Sequence, residues 1–179
     1  MQKVNNIRNP LPPIAGLSAL LPCLLFGNVA FVTWLGARAA WLLLPTSLGV
    51  PFAFPRLRFV AFVGQPGWNL TVELLAVAVL AVVAAWWVRR AGLLRPEANT
   101  WRVLLSSWAG VVLGLAAANA LRAGAAVLAS GSGPLLFLSY VLLGAVTGAL
   151  WAIALGWPCA LPVALVHRFR RSPAAPVPA

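Results

Sequence analysis

Glu73 is the residue in this chain with the most chemistry to account for. Four apolar runs of about 19 to 24 residues lie between Ile14 and Val166, each near the length of a bilayer-crossing helix, and Glu73 is the only acidic residue inside them. A carboxylate in hydrocarbon is costly unless a cation or hydrogen-bond donors meet it. Arg122 is the nearest cation in depth, with Arg38 next. At the helical rise of ~1.5 Å per residue, Asn28 sits ~21 Å, Glu73 ~22 Å and Asn119 ~24 Å from the inner ends of their runs. Arg122 lies one turn beyond Asn119, and Tyr140 falls near the same height. Asn28, Glu73, Asn119, Arg122 and Tyr140 therefore form a candidate intramembrane polar cluster towards the outer face. Such a cluster either binds a substrate, proton or lipid headgroup, or is a satisfied polar knot that fixes helix register.

Other chemistry is scarce. The chain has no Asp, so neither a paired-aspartate membrane protease nor an Asp-rich Mg²⁺ site is available. Its single histidine, His167, lies in a basic C-terminal stretch, away from any Ser–His relay or haem-ligand pair within the apolar runs. Cys23 and Cys159 are isolated, which removes CxxC redox or zinc chemistry and leaves small packing residues. No catalytic residue, metal or cofactor is expected. Glu97, among Arg95 and Arg102, reads as a surface ion-pair residue.

Composition dictates the elements that position these groups. With 62% hydrophobic and 8% charged residues over 179 positions, the chain is far more apolar than a water-soluble domain, which is roughly 25% charged. The fold class is all-α, a polytopic four-helix transmembrane bundle. Spans are expected at about 14–37, 70–88, 103–121 and 135–157, with Pro22 kinking the first. The first run is too long for a signal-peptide h-region and reads as an uncleaved span. Residues 1–13 form a cytoplasmic N-terminal tail, 14–171 one transmembrane helical domain, and 172–179 a disordered tail. Beyond Trp157 the apolar character persists, and Pro158 and Pro162 are expected to break the helix into a short interfacial segment.

Nine of the thirteen basic residues fall in the N-terminal tail, the 89–102 loop and the C-terminal segment. The positive-inside rule then puts both termini in the cytoplasm of a cell membrane. The net charge of +11 serves this orientation and contact with anionic headgroups; it does not signal nucleic-acid binding, because the basic residues flank apolar runs. Twelve Arg against one Lys point to a GC-rich bacterial genome.

The stretch Arg38–Asn69 holds four prolines, six aromatics and Arg56 and Arg58. It reads as an interfacial or re-entrant aromatic segment between the first two spans, since its backbone needs cover from protein or water. A fifth span at about 40–63 is the competing reading and would move the C-terminus outside.

Small residues recur every fourth position. The series Ser106, Gly110, Gly114, Ala118 lies on the third span and Gly144, Gly148, Ala152, Gly156 on the fourth. Weaker series are Ala15, Ala19, Cys23, Gly27 and Ala81, Ala85. Such seams allow close backbone approach. The simplest use of the two Gly-containing seams is one antiparallel contact between spans three and four; the rival use is a homo-oligomer or partner. The tryptophans Trp34, Trp86, Trp87, Trp101, Trp108, Trp151 and Trp157 suit an interfacial belt.

The expected function is that of a small integral membrane protein, an accessory or structural subunit working through helix–helix packing with a membrane-protein partner or as a homo-oligomer. The alternative is a small transporter or channel with its polar site at Glu73 and Arg122. A lipid-handling role around Arg56 and Arg58 is a third reading.

Overall fold

The computed structural model describes residues 9–39, 51, 53–60 and 66–171. Among these the chain is all-helical, without strands. Helix α1 is Leu11–Gly27, α2 Val29–Arg38, α3 Gly67–Leu94, α4 Thr100–Ala129, α5 Pro134–Leu155 and α6 Trp157–Arg171. Helices α3, α4 and α5 are each long and apolar enough to cross a membrane; α1 with α2 makes a fourth if the bent pair counts as one span.

Local sequence explains where the helices start and stop. Prolines occupy the first turns of α1 and α5, where a missing N–H costs no intrahelical bond. Asn99 caps α4 by accepting from the Arg102 N–H at 2.9 Å. Gly131, at φ 66°, supplies the left-handed residue between α4 and α5.

Pro22 lies inside the continuous helix α1, and the first span breaks at Asn28, where α2 turns away by 72°. Asn28 adopts extended geometry, and its side-chain oxygen accepts from Ala30 N at 2.9 Å and Phe31 N at 3.4 Å. A new helix start is thus capped from within the run. On the other side, the Leu57 carbonyl lies against Gly27 so closely that any Cβ there would collide with it.

Helix α4 is the centre of the bundle. It packs against α3, α5 and α6, while α1 packs against α3 and α6. Its buried residues include Gly110, Gly114, Ala118, Asn119 and Arg122, so the expected stripe does face inward. Its partner differs from the expected one. Gly110 and Gly114 lie against α3, at Ala84, Trp87 and Leu80, whereas Gly144 and Gly148 of α5 lie against Leu115 and Asn119 of α4. The two glycine seams make two separate contacts, because α4 turns different faces to α3 and α5. A Cβ at Gly148 would stand 2.5 Å from the Leu115 carbonyl oxygen, so that interface depends on hydrogen alone at the position.

The chain turns after α5 at Gly156, before the two prolines. Pro158 falls in the first turn of α6 and Pro162 in its interior. The segment after Gly156 is a 15-residue helix that buries Cys159, Ala160, Val163 and Ala164 in the bundle. The 172–179 tail, the 1–8 portion of the N-terminal tail and most of the 40–63 stretch lie outside the described residues.

Candidate functional site

The non-helical segment 53–58 packs into the bundle. Ala53 and Phe54 are completely buried, and the Phe54 ring stacks on Phe26 of α1 at 5.8 Å. Backbone that is neither helix nor sheet carries unpaired N–H and C=O groups, and lipid offers them nothing. Three bonds meet this need. Asn119 Nδ2 of α4 donates to the Ala53 carbonyl at 3.1 Å. The Arg56 N–H donates to Glu73 Oε2 of α3 at 2.7 Å, and the Leu57 N–H to the Cys23 carbonyl of α1 at 3.0 Å. One segment is thereby tied to three helices.

Charge completes the arrangement. Arg122 donates from Nη2 to Glu73 Oε1 at 2.8 Å and from Nε to the same oxygen at 3.0 Å. Arg122 Nη1 donates to Asn119 Oδ1 at 2.8 Å, which fixes the amide so that its nitrogen points at Ala53. Arg122 is 8% and Glu73 18% exposed, so the pair is largely withdrawn from its surroundings. Ala53 holds φ at 46°, a left-handed conformation unusual for alanine, and the Asn119 bond to its carbonyl holds that strained turn in place.

Of the residues grouped by depth, the structure brings Glu73, Asn119 and Arg122 into direct contact. Asn28 is exposed and engaged as the cap of α2. Tyr140 is half-buried on α5, whereas the bonds around Glu73 given above run through α3, α4 and segment 53–57. Sequence reasoning missed Ala53, Phe54 and the Arg56 N–H as members of the cluster. A phenylalanine between prolines in an otherwise Arg-bearing stretch was the available signal for Phe54. The backbone groups left none.

Both carboxylate oxygens of Glu73 already accept hydrogen bonds. To serve as a general base or gate, Glu73 must first break its ties to Arg122 or to segment 53–57. Arg38 plays no part in this knot; its guanidinium stacks over Trp34 at 4.7 Å. Among the described residues, no three His, Cys, Asp or Glu side chains gather as a metal site. Elsewhere, Trp108 Nε1 donates to the Ala152 carbonyl at 3.0 Å, joining α4 to α5, while Trp34, Trp86, Trp101 and Trp157 are about half exposed or more.

Comparison with protein families, with curated proteins and with solved structures yields no match.

Proposed function

We propose that this protein is a multi-pass component of a bacterial cell membrane, with both termini cytoplasmic, acting as a non-catalytic accessory or structural subunit through helix–helix packing. The observation that carries this reading is the engagement of the polar cluster. Glu73, Arg122 and Asn119 are bonded to one another and to the protein's own backbone. A solute or proton gate needs a polar group that a ligand can reach and exchange with; here the ligand position is occupied by segment 53–57.

A second observation concerns where a partner would sit. The small-residue seams are taken up inside the chain, so an intermolecular contact falls on large side chains. Helix α5 buries only Gly144, Gly148 and Ala152, and exposes Leu138, Leu142, Val146, Leu150 and Ile153. This outward strip is apolar throughout, suited to lipid or to a helix of another membrane protein.

Purification of the tagged full chain in mild detergent tests the proposal. The expected result is a stoichiometric membrane-protein partner or a defined homo-oligomer. A monomer that catalyses uptake of a solute into proteoliposomes by itself, with loss of uptake in Glu73→Gln at unchanged thermal stability, would overturn it in favour of a transporter.

A further inference from the structure

At the opposite end of the bundle, ~20 Å along α3 from Glu73, lies a pocket of about 650 Å³. It is bounded by the last turns of α3, the α3–α4 loop, the first two turns of α4, the end of α6 and the start of α1. Its rim is strongly basic. Arg90, Arg95, Arg102 and Arg170 line it together with His167, and no carboxylate does. The chain has only two carboxylate side chains: Glu73 is engaged far away, and Glu97, although in the adjoining loop, is not part of the lining.

Deeper in, the walls change character. Leu11, Val88 and Val103 provide apolar surface. The pocket thus presents cations at its mouth and apolar walls deeper in.

We propose that this pocket binds one anionic glycerophospholipid. Its phosphate is held by the arginine rim. The first part of an acyl chain lies against Leu11, Val88 and Val103. The volume falls in the roughly 300–1,000 Å³ range of small-molecule sites and exceeds what a bare phosphate fills. Basic pockets between membrane helices are suited to phosphorylated headgroups. The assignment rests on α3 and α4 lying in a bilayer and is independent of any partner subunit.

Native mass spectrometry of the full chain in detergent, with equimolar phosphatidylglycerol and phosphatidylcholine of identical acyl chains, tests the proposal. One phosphatidylglycerol should be retained in preference to phosphatidylcholine by about tenfold or more. The Arg95→Gln/Arg102→Gln double variant, at two exposed positions, should lose most of that preference. Arg89→Gln/Arg168→Gln removes the same charge outside the pocket and should keep it. Ala91→Trp, which narrows the pocket while retaining every arginine, should weaken lipid retention. Equal losses in both double variants, no preference in the wild type, or undiminished retention in Ala91→Trp would each overturn the proposal. Displacement of the lipid by inorganic phosphate alone would overturn the lipid assignment in favour of a free phosphate site.

Discussion

Moving a carboxylate and a guanidinium out of water costs several kcal/mol per ion, and their attraction offsets this only when the remaining polar atoms are also satisfied. Glu73 and Arg122 meet that condition through Arg56 N–H and Asn119. Removing one partner leaves the other stranded. Glu73→Gln should destabilise the bundle by up to the ~3–5 kcal/mol typical of a broken buried pair, since Glu73 retains some exposure, and this is read as a lowered thermal midpoint in detergent. A Glu73→Leu/Arg122→Met double variant, which strands no charge, should melt higher than either single replacement. A separate residue-scale expectation concerns Cys159 on α6. Burial pushes its thiol up from 9.0 to about 11. A raised pKa keeps it protonated at neutral pH, so the folded protein should carry about a hundredfold less thiolate at pH 8 than an unperturbed thiol. Maleimide labelling of a Cys23→Ala protein at pH 8 should be slow when folded and fast in denaturant; equal rates would contradict the burial of α6.

At the scale of elements, the spacing of small residues states how closely a helix can be approached but not by which neighbour. Gly110 and Gly114 meet α3, and Gly144 and Gly148 meet α4. Substitution separates the close contacts from the open ones. Gly148→Ala should destabilise the bundle by ~1–3 kcal/mol, the range for overpacking, because its Cβ meets backbone at Leu115. Gly67→Ala, in the first turn of α3, meets nothing within 4 Å and should not destabilise the bundle, which comparative melting checks. The same limit explains what the sequence revealed. Apolar run lengths gave the helices, and depth along each helix gave Glu73, Asn119 and Arg122, because both follow from a fixed rise per residue. The bend at Asn28 escaped because proline is the conspicuous helix breaker, whereas a capping asparagine inside an apolar run competes quietly. The tether of segment 53–57 escaped because it is made largely by backbone groups, which every residue possesses and none advertises.

For the whole molecule, the bundle is asymmetric along its length. One end holds the charge-tied segment 53–58, the other a ring of arginines. Reporter fusions at Arg95 and after Arg171 should both report the cytoplasm and one at Arg56 the outside, following the positive-inside bias. An external C-terminus with a cytoplasmic Arg95 would contradict the four-span topology. On the proposed reading, the Glu73–Arg122 pair holds segment 53–58 in place. Amide hydrogen exchange across that segment in wild type and Glu73→Gln tests this. Exchange at Arg56 and Leu57 should accelerate by about tenfold or more in the variant, while the central turns of α3 and α4 stay protected. Unchanged protection at Arg56 and Leu57 after loss of the Glu73 charge would contradict it.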